Sequence, residues 1–287
     1  MTLQEKTKEI KRHLIPLVGE RESYWMVRDI FEDILGYSEV DMLLKGNEEL
    51  SNFILTKIDQ IVKRIENGEP LQYILGWARF AGHRFKVTCD TLIPRPETQE
   101  LVDLIISRHG DEKDLCVMDV GTGSGCIAIS LARGLKFPQV NAIDISQRTL
   151  DVAHENAQTL KVRVNFNLRD ALTLQAESNE CYDIIVSNPP YIANSERCDM
   201  ENHVLNYEPK SALFVPDNDV LCFYRAIARW GCDVLNVGGW IYFEINPLFA
   251  SEMIKMMRDL GYDDIELIKD MQARDRMLCA KYSIDRL

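Results

Sequence analysis

The stretch from residue 115 to residue 145 leaves this chain little freedom in how it folds. Leu115-Cys116-Val117-Met118-Asp119-Val120 is a short, largely apolar run of the kind that becomes a buried strand. Gly121-Thr122-Gly123-Ser124-Gly125 follows, and then an apolar helical stretch over 126–135. A second apolar run, 140–145, carries Asp144 near its end, 19 residues beyond Gly125. Strand, glycine turn, helix, strand and acid in this register describe a parallel βαβ unit. In such a unit the backbone can come close to a nucleotide-like ligand, and an acid about twenty residues on can meet ribose hydroxyls.

The pattern continues beyond it. Helical periodicity at 147–160, 220–235 and 250–260 alternates with strand-like runs at 162–168, 182–187 and 240–245. Such alternation predicts an α/β fold with a doubly wound parallel sheet. The final runs, 265–268 and 277–282, have no long helix between them and predict an antiparallel hairpin. A helix is expected from Pro96 to about His109, with Pro in its first turn and Glu97 and Glu100 near its N-terminus.

Upstream, Leu50, Phe53, Ile54, Ile58, Ile61 and Ile65 recur at intervals of three and four, with Gly68 and Pro70 ending the run. Less regular periodicity covers Leu3 to Val18, and an amphipathic segment from Tyr24 ends at Gly36. These features predict a small helical bundle over 1–74. Residues 80–87 read as two short strands around Gly82, so 75–95 is expected to be a β-hairpin linker, leaving 96–287 as the α/β domain.

Composition narrows the function classes. At 287 residues and 46% hydrophobic, the chain has room for a full α/β domain and a smaller one. It contains no apolar stretch long enough to cross a membrane, and its first nine residues lack a signal-peptide core, so a cytoplasmic protein is expected. The 8 cysteines are scattered, without C-x-x-C and without spacing that joins the 5 histidines in a metal site, so no metal is expected. A formal charge of −12 argues against affinity drawn from a broad basic surface on nucleic-acid phosphates.

The most specific chemistry lies in Asn188-Pro189-Pro190-Tyr191, directly after the apolar run Ile184-Ile185-Val186-Ser187. Asn offers a carbonyl acceptor. Each Pro fixes φ and pushes the residue before it to an extended conformation, which keeps the tetrapeptide open and lets the Pro189 carbonyl accept a second N–H. Tyr191 can stack on a planar group. The set suits a flat NH2 whose lone pair is delocalised, such as a carboxamide or the exocyclic amine of adenine. Both hydrogens are held, and the remaining face of the nitrogen turns toward an electrophile.

The spacing of the glycines points to the source of that electrophile. A dinucleotide fingerprint needs G-x-G-x-x-G, whereas Gly121, Gly123 and Gly125 alternate as G-x-G-x-G. The tighter spacing is that of S-adenosylmethionine (SAM) enzymes, which have no pyrophosphate to cradle, and it predicts methyl transfer to the held nitrogen. Further segments carry a resemblance: Pro70-Leu71-Gln72-Tyr73-Ile74-Leu75-Gly76, Leu92-Ile93-Pro94-Arg95-Pro96-Glu97-Thr98, Ala153-His154-Glu155-Asn156-Ala157, and Tyr207-Glu208-Pro209 ahead of Ala212-Leu213. With the two motifs above, the chain resembles the glutamine N5-methyltransferases that modify peptide-chain release factors (the HemK/PrmC type). That resemblance implies a class I SAM-dependent methyltransferase fold, Rossmann-like, with an N-terminal helical substrate-docking domain. It implies SAM as cofactor and, as partner, a release factor whose Gly-Gly-Gln loop is the substrate, with no direct nucleic-acid binding. The implied cofactor site is Gly121, Thr122, Gly123, Ser124, Gly125, Asp144, Asp170 and Asn188, and the implied catalytic set is Asn188, Pro189, Pro190 and Tyr191.

Plainer readings compete at several positions. Asp144 could cap the helix that begins near Gln147, and Asp170, expected at the adenine amino group, could be a solvated loop acid. Ala171 stands where the family often has a bulky aromatic, so the adenine must find its stacking partner elsewhere. By resemblance Glu97 helps shape the cofactor pocket, although a helix N-terminus explains an acid there equally well. Glu244-Ile245-Asn246-Pro247 departs from the family's Glu-x-Gly and lacks the glutamine that follows it, so Glu244 is assigned no role. Three alternatives stay open on sequence: an adenine-N6 methyltransferase acting on DNA or RNA, a glutamine methyltransferase acting on another protein, and an idle SAM-binding partner protein.

Overall fold

The computed structural model describes residues 1–283; the last four positions of the expected 96–287 domain lie outside the described residues. The chain divides into two compact units, Met1–Gly76 with Asn202–Tyr207, and Trp77–Glu201 with the residues from Glu208 onward.

In the first unit, helix α1 (Leu3–Leu35) begins at a capping box between Thr2 and Glu5 and ends at Gly36, whose φ of 70° closes it in the left-handed conformation. It is broken at Gly19, where φ 80° and ψ 171° are not helical. The two amphipathic segments read in the sequence therefore run on either side of a single-residue interruption. The short helix α2 (Glu39–Leu44), capped by Ser38, had no periodicity to announce it. Helix α3 (Asn52–Glu66) buries Ile58, Val62 and Ile65 against Ile10, Leu14, Ile30 and Phe31. Phe53, expected on that apolar face, is exposed. Gly68 and Pro70 do end α3, but Pro70 also starts a further short helix, α4 (Leu71–Leu75). The buried Lys6 is compensated by Glu9 at 2.6 Å and by Asp59.

The second unit opens with a hairpin, β1 (Trp77–Phe80) and β2 (His83–Lys86), paired antiparallel around Ala81 and Gly82. Both turn residues have positive φ, 46° and 75°, matching the twist a two-residue hairpin needs. The segment expected as a 75–95 linker contains this hairpin, which groups with the α/β unit from Trp77. Phe80 and Phe85 are buried in one core with Leu101, Val102 and Ile105 of α5 (Pro96–His109). The Asn156 side chain binds Lys86 at both its N–H (2.7 Å) and its carbonyl (3.0 Å).

Next come β3 (Cys116–Val120), α6 (Cys126–Gly134), β4 (Gln139–Asp144), α7 (Gln147–Thr159), β5 (Asn165–Leu168) and β6 (Tyr182–Ser187). A two-residue pair, β7 (Ile192–Ala193) and β8 (Phe214–Val215), brackets the excursion through α8 (Asn202–Tyr207) into the first unit. Then follow α9 (Cys222–Val234), β9 (Leu235–Glu244), α10 (Ala250–Asp259), β10 (Tyr262–Lys269) and β11 (Asp275–Tyr282).

The seven-stranded sheet has the order β10-β11-β9-β6-β3-β4-β5. From β9 through β5 every pairing is parallel, while β11 lies antiparallel between β9 and β10, as the missing helix implied. Strand β9 starts at Leu235, not at 240. Gly238 (φ 86°) sits where the register against β6 shifts, so a pair of glycines that reads as a loop is a bulge inside the strand. At the outer edge β10 carries two register irregularities, one between Asp263 and Glu266 and one between Ile268 and Lys269. The two faces of the sheet are covered by separate apolar cores, one built on α5, α6 and α7 and the other on α9 and α10. The chain order reverses beside β3, and the carboxyl ends of β3, β4, β5 and β6 meet there, which is where open α/β sheets bind ligands.

Candidate functional site

A cavity of about 400 Å³ opens at those four strand ends, within the range of small-molecule sites. Its floor is the glycine loop. The N–H groups of Gly121 and Thr122 both donate to the Ile143 carbonyl at 2.9 Å, tying the loop to β4. Gly121 (φ 77°) and Gly123 (φ 57°) line the cavity, and a Cβ on either would project into open space, the space a ligand needs. Gly125 (φ 81°) serves another purpose: a Cβ there would press on Ile129 at 3.0 Å and Ala153 at 3.2 Å, so it allows α6 and α7 to approach.

Thr122, Ser124 and Gly125, expected at the cofactor, sit behind the loop and do not line this cavity. The alternating backbone turns them inward. The Thr122 hydroxyl donates to Asp119 Oδ2 at 2.7 Å, and the Ser124 carbonyl accepts from Asn156 Nδ2 at 2.8 Å. Asp119 Oδ2 also accepts the Ala128 N–H at 3.2 Å, while its Oδ1 has no partner. Complete burial pushes this carboxyl up to about 7, against the pull of its two donors.

Asp144 faces the cavity with its carboxylate held in place, Oδ2 accepting from Gly123 N–H and Oδ1 from Ser146 N–H, both at 3.0 Å. The cap of α7 is Ser146, whose hydroxyl accepts from Thr149 N–H, so the capping alternative for Asp144 falls. Burial raises its carboxyl above the usual range, opposed by the backbone donors. Asp170 also lines the cavity and caps a single 3-10 turn over Ala171–Thr173 through Leu172 N–H at 2.9 Å. Beside Ala171, the exposed side chains of Ile145 and Leu172 line the same wall. They supply the apolar surface that Ala171 cannot.

Asn188, Pro189 and Pro190 form the facing wall. Ser187 closes β6, and its hydroxyl donates to the Val120 carbonyl at 2.6 Å, which fixes the tetrapeptide against the end of β3. The Asn188 amide donates from Nδ2 to Thr98 Oγ1 at 3.1 Å. Tyr191, expected to stack on a planar ligand, does not line this cavity: its ring packs on the sheet core, and its hydroxyl donates to Glu244 Oε1 at 3.2 Å. Burial holds its phenol well above the ordinary range.

Glu244, given no role on sequence, joins this network. It is 1% exposed, closes β9, and accepts from Thr98 Oγ1 at 2.7 Å in addition to Tyr191. Burial raises its carboxyl, while Thr98, the Arg276 charge and Tyr191 lower it. Glu97, by contrast, does not line the cavity.

A clasp closes the rim. Arg95 pairs with Glu208, whose other oxygen accepts Ile93 N–H at 3.3 Å, although the Glu208 side chain is fully buried. This joins two segments read separately in the sequence and presents Leu92, Pro209, Ser211, Ala212 and Phe214 to the cavity. The residues present fit SAM: bare backbone at Gly121 and Gly123, a fixed carboxylate at Asp144 for ribose hydroxyls, Asp170 for a base amine, and Ile145 with Leu172 for its faces.

Known proteins agree with this geometry. A family model described as a methyltransferase domain matches residues 111–280, and one described as the PrmC N-terminal domain matches 19–76. The release factor glutamine methyltransferase of Bacteroides thetaiotaomicron is 44% identical over 86% of this chain and 88% of its own length. The enzyme of the same name from Flavobacterium psychrophilum is 40% identical over 90% and 91%. Among solved structures, a methyltransferase from Pyrococcus furiosus shares the fold at a TM-score of 0.53 and 15% identity, covering 82% of this chain and 100% of that one. Among the described residues no helix is long and apolar enough to cross a membrane.

Proposed function

This chain belongs to the release factor glutamine methyltransferase family, and from that premise we propose how its cavity works. The enzyme methylates the N5 side-chain amide nitrogen of a glutamine in the Gly-Gly-Gln loop of a peptide-chain release factor. SAM is the methyl donor, carrying a methyl group made electrophilic by its sulfonium. One observation carries the reading: Asn188, Pro189 and Pro190 share a single cavity with Gly121, Gly123 and Asp144. The acceptors for an amide and the cradle for SAM thus face one another.

An amide nitrogen is a poor nucleophile because its lone pair is conjugated. Asn188 Oδ1 and the Pro189 carbonyl take its two hydrogens, turn the nitrogen toward the methyl carbon, and bind more strongly as positive charge develops there. The methylated nitrogen is strongly acidic before it loses its proton, so departure to water needs no strong base. Tyr191 acts from behind, bracing Glu244. The helical residues 1–74 serve as the docking platform for the protein substrate, where Val40, Leu43, Leu44 and Phe53 are exposed. Release factors work at ribosomes, which assigns the enzyme to the cytoplasm.

The test supplies labelled SAM with one of three acceptors: release factor, release factor carrying Gln→Ala in its glycine-flanked loop, or adenine-rich DNA. Label in the intact factor alone supports the assignment, and label in DNA overturns it. Asn188→Ala is expected to lower turnover by at least about 100-fold with SAM affinity within a few-fold of the parent.

A further inference from the structure

The side chain of asparagine has two ends of nearly equal shape and opposite function, one a carbonyl acceptor and the other an NH2 donor. Only the acceptor end can hold a substrate amide hydrogen. Presented the other way round, Asn188 would set donor against donor. Resting on the reading above, we propose that Thr98 and Glu244 are positioning residues that fix which end of Asn188 faces the substrate.

The polarity can be followed atom by atom. A carboxylate accepts and does not donate. Glu244 receives Thr98 Oγ1–H on Oε2 at 2.7 Å and Tyr191 Oη–H on Oε1 at 3.2 Å. A threonine hydroxyl has one proton, and here it is committed to Glu244. Toward Asn188, therefore, the Thr98 oxygen can only accept, and the atom it meets at 3.1 Å is Nδ2. With NH2 drawn to Thr98, Oδ1 is the end left for the cavity that Asn188 lines.

The relay is assembled from distant parts of the chain. Thr98 stands in the first turn of α5, Asn188 follows β6, and Glu244 ends β9. Both Thr98 (3% exposed) and Glu244 (1%) are shielded from water that could reverse the order of donors. Burial raises the Glu244 carboxyl and Glu97 on α5 adds to that, while the hydrogen bonds from Thr98 and Tyr191 and the charge of Arg276 on β11 favour the acceptor-only carboxylate. Tyr224 on α9 donates at 2.9 Å to the Glu244 backbone carbonyl and holds the end of the strand.

The experiment uses full-length enzyme with SAM and release factor. Thr98→Val keeps the shape and removes donor and acceptor together, and Glu244→Gln keeps the shape but introduces an N–H that can run the relay backwards. Each is expected to lower kcat on the order of 10- to 100-fold while leaving the calorimetric Kd for SAM unchanged. Thr98→Ser restores the relay and is expected to recover turnover to within about threefold of the parent.

A second readout needs no catalysis. In protein labelled with 15N at asparagine, the Asn188 side-chain NH2 signals, identified by their loss in Asn188→Ala, are expected to be protected from solvent exchange in the parent and in Thr98→Ser. They lose that protection in Thr98→Val. Parental kcat in both Thr98→Val and Glu244→Gln, or unprotected Asn188 NH2 signals in the parent, overturns the proposal. Should the parent label the release factor and Asn188→Ala fail to, while Thr98→Val and Glu244→Gln turn over normally, the relay falls and the glutamine reading stands. Absence of label in the release factor with the parent enzyme itself removes the reading instead.

Discussion

Asp119→Asn should change the stability of the α/β unit with a sign that depends on pH. The native carboxyl lies at about 7 because burial disfavours its charge, whereas the unfolded chain has it at 3.8. An acid raised in this way contributes stability that is full below the unfolded value and is lost as pH rises through the folded one. From 3.8 to about 7, at about 1.36 kcal/mol for each tenfold change, the loss amounts to about 4 kcal/mol. About half of it falls between about pH 5.5 and about pH 8.5. Asparagine carries no charge, and its Oδ1 can still accept from Thr122 and Ala128 as Asp119 Oδ2 does now. Its NH2 then takes the place of the unpartnered Oδ1, at a cost of about 1–3 kcal/mol. The variant should therefore start near parity with the parent at the acid end of that window, where the parent has already lost about 2 kcal/mol, and be about 2 kcal/mol the stronger at the alkaline end; only at pH below the window is it the weaker protein. Urea unfolding of the ligand-free protein, followed by the fluorescence of Trp77, Trp230 and Trp240 in a Trp25→Phe background, measures this directly. A stability difference that stays flat across the window would show that Asp119 titrates as an ordinary carboxylate, and the reasoning would fail.

Two further perturbations separate the cofactor site from its supports. Asp144→Ala removes the carboxylate assigned to the ribose hydroxyls and should weaken SAM binding on the order of 10- to 100-fold by calorimetry; a Kd within twofold of the parent would remove the assignment. Asn156→Ala leaves Lys86 N–H, Lys86 C=O and Ser124 C=O without their partner and should cost about 2–4 kcal/mol, with faster hydrogen exchange at Lys86. Unchanged exchange there would mean that the amide does not hold the hairpin.

Much of this architecture can be read from the chain because apolar runs and breakers act locally. Strand β6 and helix α5 lie where periodicity and Pro96 place them, and the absence of a helix between β10 and β11 fixes their antiparallel pairing. Where local signals are weak the reading fails. Helices α2 and α4 are too short to show a face, and Gly238-Gly239 reads as a turn although it bends a strand. At the site, alternation with Gly121 and Gly123 decides which loop residues line the cavity, and sequence cannot separate Thr122 from its neighbours without φ values. Thr98 and Glu244 are 146 positions apart and meet only through the order of the sheet. The signal that could have found Glu244 was an acid closing the apolar run Ile241-Tyr242-Phe243, since a buried carboxylate has to have partners.

The outer strand β10 has a consequence for the molecule as a solute. A sheet edge exposes unpaired N–H and C=O groups that can recruit a strand from a neighbouring molecule, and flat, uncharged edges are the ones that aggregate. Here Asp263, Asp264 and Glu266 put negative charge along that margin, Asp264 adopts a φ of 45°, and two irregularities bend the strand out of plane. A second copy approaching in register would meet repulsion and mismatched spacing together, so this margin guards against fibre-like growth while its inner side stays paired with β11 on either side of the irregularities.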